Sequence, residues 1–532
     1  MNNIDTDARP HARIGGANQN SFARSRMTLH GCIAVLATSL AASTFAGTLA
    51  KNDLVARGEY LAQVGDCASC HTAPNGKPYA GGLSMATPFG PLSTPNITPD
   101  RETGIGAWSD DDFYRVMHEG IGENGEYLYP VMPFPWYTIV TRDDALAIKA
   151  YLFSLPPVHR TNGANTLRFP YNIRESLAAW RAAFFKTQDF VADPKQSAAV
   201  NRGAYLVNGL AHCGECHNAR PVAGTSRWRE SLEGGVVQNW YAPNISSDVR
   251  SGIGAWSDPD LATFLKTGAA PGKGAAIGPM VEVVHSLSHL TDADLKSMVA
   301  YLKSTPPSTS AHVIADPSVN YARGEQAYLN YCASCHAVDG TGQAGVIPAL
   351  KGNAAVLTQG PQNAISVVLG GLEARGTYAP MLAIGATMDD GDIADIVNYV
   401  RQSWGNSATA TASAAMVSDL RRSADTTFNA APLTACPALG DKPLDKAISG
   451  GAIQKELAAL NDANIYTSTQ KLVQSARSAA PGVAQADVVN TFANAYCAIV
   501  RRDASLDQGA KAAKIGRFVE SIYMAAAAQP KK

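Results

Sequence analysis

The chain contains 532 residues, a length that suggests three or four domains of ordinary size. Its composition is that of a globular protein, with 46% hydrophobic and 17% charged residues. A net charge of −1 excludes the basic surplus of nucleic-acid-binding proteins and gives no sign of a strongly charged partner. We therefore expect a globular protein with no nucleic-acid partner.

Residues 1–50 are predicted to be a signal peptide with an N-terminal extension. Arg24 and Arg26 precede a short apolar run over residues 32–45, and small residues follow this run. A membrane anchor is the alternative interpretation. No later stretch is apolar enough to span a bilayer, so the mature chain is expected to be soluble or peripheral, in an oxidising compartment.

Six of the nine cysteines fall in three CxxCH strings, which are typical of covalent haem c attachment. Two thiols three positions apart can bind the two vinyl groups of one haem, and the next residue presents its imidazole to the iron. A zinc site would need CxxC units close together, and a thioredoxin-like motif would not explain three following histidines. The sequence thus predicts three covalently bound haem c groups, at Cys67, Cys70, His71, Cys213, Cys216, His217, Cys332, Cys335 and His336.

A methionine next to a proline follows each haem motif and is the candidate second axial ligand of each iron. These residues are Met132, Met280 and Met381. Each is predicted to lie in a loop that the neighbouring proline stiffens. Met388 competes with Met381, whereas Met117 and Met298 lie in helical patterns and are predicted to be core residues.

Matching helices frame each haem motif. An Arg-Gly pair precedes every motif, and an amphipathic helix is predicted after every methionine loop, over residues 143–155, 291–302 and 389–404. Glycine in the first helix would let the two helices cross closely, which offsets its unfavourable helix propensity.

The string Gly-Ile-Gly-Ala-Trp-Ser-Asp occurs at residues 104–110 and again at 252–258. Ser109 and Ser257 each precede an acidic residue by three positions, a pattern that predicts the start of a helix. The string lacks the pattern of a phosphate-binding loop. We hypothesise that the indoles of Trp108 and Trp256 approach a haem edge and donate to a propionate; packing within the scaffold is the alternative.

Further motifs resemble one known family. They are residues 95–98, 243–246, 129–133 and 168–174, together with the doubled string and the three haem motifs. The chain resembles the triheme cytochrome c subunits of membrane-associated bacterial dehydrogenases acting on alcohol, gluconate, fructose or sorbitol. Similar subunits serve molybdenum hydroxylases. The resemblance covers about residues 51–405 and implies a mostly α fold, with three tandem class I cytochrome c domains plus a C-terminal helical segment.

The resemblance also implies a function. A separate catalytic dehydrogenase subunit of the flavin, quinone or molybdenum type would oxidise the substrate. This chain, with no catalytic residues of its own, would pass electrons to ubiquinone or another respiratory acceptor in the periplasm, at the cytoplasmic membrane. The alternatives are a cytochrome that delivers electrons to a terminal oxidase and a catalytic multihaem enzyme such as a peroxidase.

The predicted organisation divides the mature chain into six parts. They are cytochrome c domains over residues 51–158, 198–312 and 318–405, a helical connector over 159–197, a flexible linker over 406–429 and a helical segment over 430–532. The last segment departs from the family pattern, in which the chain often ends soon after the third cytochrome c domain. We expect this segment to have a docking role. Its Cys436 and Cys497 are the only thiols left after the signal and haem cysteines, and we expect them to form a disulfide that pins a helical hairpin.

Overall fold

The computed structural model describes residues 52–219, 232–308, 321–375, 378–381, 383–408, 411–427, 436, 439–449, 451–461, 463–483, 485–506 and 508–527. The predicted signal peptide lies outside these residues. Helices dominate the described part of the chain, and its strands form three short antiparallel pairs. The predicted mostly α fold class is thus confirmed.

We call the three stretches around the CxxCH strings the first, second and third repeats. The first contains α1 (residues 52–64), α2 (Cys67–Cys70), β1 (Ser84–Met85), β2 (Leu92–Ser93), α3 (Asp110–Glu119), α4 (Phe134–Tyr137) and α5 (Arg142–Leu152). A connector follows, with a 3₁₀ turn (Arg174–Ser176) and helix α6 (Leu177–Phe184).

The second repeat contains α7 (Ala198–Tyr205), a π turn (Leu206–Leu210), α8 (Gly214–His217), β3 (Gly235–Val237), β4 (Trp240–Ala242), α9 (Asp258–Thr267), β5 (Ala269–Ala270), β6 (Gly274–Ala275), α10 (Met280–Leu287) and α11 (Asp292–Ser304). The third contains α12 (Ala322–Tyr331), α13 (Ala333–His336), α14 (Gln362–Gly370), a 3₁₀ turn (Ile384–Thr387) and α15 (Asp390–Gln402). The chain continues with α16 (Ala414–Thr427), α17 (Pro443–Ser449), α18 (Gly451–Ala458), α19 (Ile465–Ala479), α20 (Gln485–Val500) and α21 (Gln508–Ala527).

A glycine brings the first and last helices of each repeat into contact. A Cβ added at Gly58 would overlap the carbonyl group of Ala147 in α5. The same overlap would arise in the other repeats, between Gly203 and Ser297 and between Gly324 and Asp395. This close approach confirms the predicted role of the glycines, since only glycine leaves room for the facing carbonyl.

The arginine of each pair ties the same two helices together. In the first repeat Arg57 Nε donates to Asp144 Oδ1 at 2.8 Å, and in the second Arg202 Nε donates to Asp294 Oδ1 at 2.8 Å. In the third, Arg323 Nε lies 2.7 Å from Asp395 Oδ2. One Arg-Gly pair therefore supplies both the crossing point and the ion pair that fixes it.

In the first two repeats, a tyrosine of each repeat donates a hydrogen bond to an aspartate of the other. Tyr60 donates its hydroxyl to Asp294 Oδ2 at 2.7 Å, and Tyr205 donates to Asp144 Oδ2 at 2.6 Å. Both tyrosines stand three residues after the arginine of their own repeat, where the third repeat has Gln326. Each repeat thus completes the ion pair of the other, and one continuous apolar core runs through both.

We predict that Asp294→Asn lowers the Tm at neutral pH and that this deficit fades in acid. Hydrogen bonds from Arg202 and Tyr60 hold the pKa of Asp294 below its usual range, although partial burial opposes them. A carboxylate with a lowered folded pKa adds stability above its unfolded pKa of about 3.9, and that stability is lost as pH falls through the folded value.

Thermal unfolding between pH 3 and 7 measures this difference. The matched control is Asp143→Asn, which changes an exposed carboxylate in the first turn of α5. A deficit for the Asp294 variant that stays constant over this pH range would contradict the role given to its ionised form.

Both copies of the doubled string end at a helix start, as predicted. The Ser109 hydroxyl accepts from the backbone N–H of Asp112 at 3.1 Å, and the Ser257 hydroxyl accepts from that of Asp260 at 3.2 Å. The helices α3 and α9 that begin here end at Gly120 and Gly268, both in the left-handed region.

The predicted flexible linker over residues 406–429 differs from the structure, because it contains helix α16. Val417 and Leu420 are buried against α14 and α15. Arg421 Nε donates to Asp390 Oδ1 at 2.9 Å, and its Nη1 donates to the Gly385 carbonyl at 2.8 Å. The linker was predicted from the Ala, Ser and Thr residues at the start of this segment. Apolar residues at helical spacing follow them, and these residues form the buried face of α16.

In the described part of the C-terminal segment, five helices, α17 to α21, form a bundle rather than the predicted hairpin. These helices share an apolar core centred on Leu472, Phe492 and Phe518, which are fully buried. Cys436 and Cys497 form the expected disulfide, 61 positions apart in the chain. None of the helices in the described part of the chain is long and apolar enough to cross a membrane.

Candidate haem sites

Each CxxCH string folds as a single helical turn. The backbone N–H of His71 donates to the Cys67 carbonyl at 3.0 Å, and His217 and His336 make the same bond to Cys213 and Cys332 at 3.0 and 2.9 Å. Because the first cysteine and the histidine are four positions apart, this turn places them on one face. All three strings therefore have the local geometry that covalent attachment and axial ligation require.

A prolyl carbonyl orients each of the three imidazoles. Nδ1 of His71 donates to the Pro95 carbonyl at 2.8 Å. The equivalent bonds are from His217 to Pro243 at 2.6 Å and from His336 to Pro348 at 3.3 Å. A carbonyl only accepts, so the bond assigns the proton to Nδ1 and leaves the Nε2 lone pair for a metal.

Burial keeps these imidazoles in the neutral form that ligates iron. It lowers the pKa of His71 and His217, and it lowers the pKa of His336 to about 4. In each case burial outweighs the bond to the prolyl carbonyl, which acts in the opposite direction. Neutral imidazole is therefore present at physiological pH before any metal binds.

A connected, mostly apolar cavity of about 2730 Å³ adjoins the haem motifs. This volume exceeds the roughly 300–1,000 Å³ of a typical small-molecule site, and so it suits more than one large apolar cofactor. The cysteines and histidines of the three motifs that line it are Cys67, Cys70, His71, Cys216, Cys332, Cys335 and His336. A thiol pair and an oriented imidazole beside an apolar space fit haem c, at the first and third strings most directly.

The candidate methionines differ in position. Met132 and Met381 line the cavity, and so does the competitor Met388. Met280 is the first residue of α10 rather than a loop residue, and it packs against the core of the first two repeats without lining this cavity. Met298 is buried in the core as predicted, and Met117 is buried there too while lining part of the cavity.

The two tryptophans of the doubled string also differ. Trp108 lines the cavity, whereas Trp256 does not. The Trp256 ring instead packs edge-on against Phe264, with a centroid distance of 5.4 Å. In both repeats a lysine from the last helix holds the loop, because Lys149 donates to the Trp108 carbonyl at 2.9 Å and Lys303 to the Trp256 carbonyl at 2.7 Å.

A contact that was not predicted from the sequence joins the first repeat to the second CxxCH string. Trp136 in α4 is fully buried, and its Nε1 donates to Glu215 Oε2 at 2.7 Å. Its ring lies so close to Gly214 that a Cβ there would overlap it. The signal was the change from Cys-Ala-Ser to Cys-Gly-Glu in the second string, since the glycine makes room for the ring.

The connector helix α6 packs on the first repeat. Leu177 is buried, and the ring of Phe185 lies edge-on to Phe134 at 4.8 Å. Trp180 lines the cavity beside Arg174, which donates to the Tyr127 carbonyl at 2.7 Å. The connector therefore forms part of the cavity wall next to the first repeat.

Comparison with known proteins agrees with this geometry. The family model described as cytochrome c matches residues 55–156 and 321–404. The chain is 36% identical over 417 residues to the gluconate 2-dehydrogenase cytochrome c subunit of Pantoea cypripedii, which covers 73% of this chain and 94% of the relative. It is 37% identical over 397 residues to the cytochrome c subunit of the quinone alcohol dehydrogenase of Gluconobacter oxydans, covering 69% and 82%.

A third relative is the fructose dehydrogenase cytochrome subunit of Gluconobacter japonicus, 35% identical over 402 residues that cover 69% of this chain and 82% of the relative. The second repeat lies between the two ranges that the family model matches, and it shares their helical turn and prolyl carbonyl contact. This chain belongs to the cytochrome c family, among the cytochrome c subunits of dehydrogenases.

Proposed function

We propose that this chain is a triheme electron-transfer subunit of a dehydrogenase complex. The observation that carries the proposal is the threefold recurrence of one arrangement, in which a CxxCH turn presents an imidazole whose Nδ1 is bonded to a prolyl carbonyl. Haem c, when bound, supplies an iron that accepts and releases single electrons. The chain attaches it, orients its ligands and limits its contact with water.

Each residue of the site has a proposed role. The cysteines of the three strings hold the haems covalently, and His71, His217 and His336 are the proximal ligands. Met132, Met280 and Met381 are the proposed distal ligands, and the cavity walls at Met132 and Met381 support two of these assignments. Trp108 and Trp256 are proposed to donate to propionates, which the position of Trp108 in the cavity supports.

The partners follow from the relatives. Each relative named above is a cytochrome subunit of a dehydrogenase, so a catalytic dehydrogenase subunit is the proposed electron donor. We propose a flavin, quinone or molybdenum type for that subunit. Ubiquinone or another respiratory acceptor would receive the electrons in the periplasm, with this chain at the cytoplasmic membrane.

Isolation of the tagged full-length chain from its native host tests this function. We expect a catalytic subunit to copurify, its substrate to reduce all the haem in the complex, and a ubiquinone analogue to reoxidise it. Reoxidation by a purified terminal oxidase but not by the quinone would favour the oxidase alternative. A high-spin ferric signal together with peroxide turnover by the chain alone would replace electron transfer with catalysis.

We predict that Met381→Ala removes the methionine-to-iron charge-transfer band of one haem and lowers its potential, because methionine ligation raises the potential of haem iron. Redox titration followed by visible spectroscopy measures both effects. Met388→Ala is the matched control, since Met388 lines the same cavity seven positions away. Loss of the band in the Met388 variant alone would reassign the ligand.

A further inference from the structure

The C-terminal helical segment, residues 439–527, packs directly on the third repeat. Val346 is 4% exposed and belongs to the same apolar core as Phe492 and Phe518 of this segment. Ile347 and Ala379 pack against that core as well. Helix α21 also contacts the 3₁₀ turn Ile384–Thr387. Two separate loops of the third repeat are therefore covered by the same helices.

One of these loops orients the proposed proximal ligand of the third haem, and the other carries its proposed distal ligand. The loop over residues 343–348 ends at Pro348, whose carbonyl accepts from His336 Nδ1 at 3.3 Å. The loop over residues 378–381 ends at Met381. A hydrogen bond joins the two loops, because the Ala379 N–H donates to the Val346 carbonyl at 2.8 Å. The C-terminal segment thus rests on the proximal and the distal side together.

The same helices form part of the cavity wall. The residues of α20 and α21 that line the cavity are Val489, Ala493, Asn494, Cys497, Ile515, Arg517 and Val519. Cys497 is one half of the disulfide with Cys436, so a covalent link fixes the wall at this point. Most of these side chains are apolar, Asn494 and Arg517 being the exceptions, and they line the same cavity as His336 and Met381.

We propose that residues 439–527 are a positioning element for the third haem: they hold in place the loop that orients His336 and the loop that carries Met381, and they exclude water from that site. The proposal rests on the proposed triheme function. An oxidised haem iron carries one more positive charge than a reduced one, and an apolar wall disfavours that charge. The segment would therefore raise the potential of the third haem relative to an open site.

The test compares two variants of the full-length holoprotein. Ile515→Ala shortens a side chain that lines the cavity and is 7% exposed. Leu472→Ala is the matched control, since Leu472 is fully buried in the same helical core but does not line the cavity. The measurements are the rate at which imidazole replaces the distal ligand of the ferric haem, and the midpoint potential of each haem.

For Ile515→Ala we expect imidazole exchange at one haem to accelerate on the order of tenfold, within the range usual for coupling between sites, and the potential of that haem to fall. Leu472→Ala should leave both values unchanged at a temperature where its helices remain protected from hydrogen exchange. Equal changes in both variants, or a change in neither, would overturn the proposal.

A second variant and a haem count complete the test. Cys436→Ser combined with Cys497→Ser should increase hydrogen exchange over residues 343–348 and 378–381, while the loops around His71 stay protected. Unchanged exchange over those loops would also overturn the proposal. A chain that carries fewer than three haems would contradict the proposed function, whereas three haems with unaltered imidazole exchange would contradict only this inference.

Discussion

Replacing both Cys213 and Cys216 with alanine is expected to lower the haem content from three to two per chain. The second repeat is the sharpest place for this test, because the cytochrome c family model matches residues 55–156 and 321–404 and leaves this motif outside. Without thiols no thioether can form, and a haem held by the imidazole alone would be lost on denaturation. The pyridine haemochrome absorbance per polypeptide, together with the intact mass, measures the count.

The matched control for this count is Cys436→Ser with Cys497→Ser, which also removes two cysteines but none that lies in a haem motif. It should retain three haems. An unmodified chain that carries two haems, or a Cys213 and Cys216 variant that still carries three, would contradict the threefold assignment. The first result would show that one of the three CxxCH turns does not attach a haem.

The second large effect that we expect is a loss of stability when Trp136 is replaced. Its replacement by alanine should destabilise the chain by about 3–5 kcal/mol, the usual range for deleting a large buried aromatic side chain. The loss should be high in this range, because the ring is fully buried, packs on Gly214 and donates to Glu215. Denaturant unfolding followed by far-ultraviolet circular dichroism measures it.

Two further variants separate packing from hydrogen bonding at this contact. Trp136→Phe retains most of the ring and removes the donor to Glu215. A double-mutant cycle with Glu215→Gln should then give a coupling energy of about 0.5–3 kcal/mol. Trp180→Ala is the control, since that ring is only partly buried. A Trp136→Ala variant no less stable than the Trp180 variant would show that the contact does not hold the first two repeats together.

The haem motifs and the helix starts could be predicted because their geometry is local. A CxxCH string and a serine three positions before an acid each fold within a single turn, whatever packs around them. The packing of the Arg-Gly pairs could also be predicted, since each pair precedes a CxxCH string and a further helix is predicted after each methionine loop.

Contacts between repeats could not be predicted in this way. The bonds from Tyr60 to Asp294 and from Trp136 to Glu215 join residues 234 and 79 positions apart, and no spacing in the sequence marks such pairs. The position of Met280 at the start of α10 also depends on how that helix packs. The C-terminal bundle was predicted as helices, but its place over the third repeat is a tertiary property.

The reciprocal hydrogen bonds of Tyr60 and Tyr205 have a consequence for the evolution of the chain. Tyr60 binds the carboxylate of the second repeat, and Tyr205 binds that of the first. Substitutions at these positions in one repeat therefore affect the stability of the other. A substitution of Tyr60 would remove a hydrogen bond from Asp294. Substitutions at Tyr60 and Asp294 should therefore occur together, as should those at Tyr205 and Asp144. If the two repeats arose by duplication, each copy now depends on the other, because a gene that encodes either repeat alone would leave Asp144 or Asp294 without its tyrosine partner.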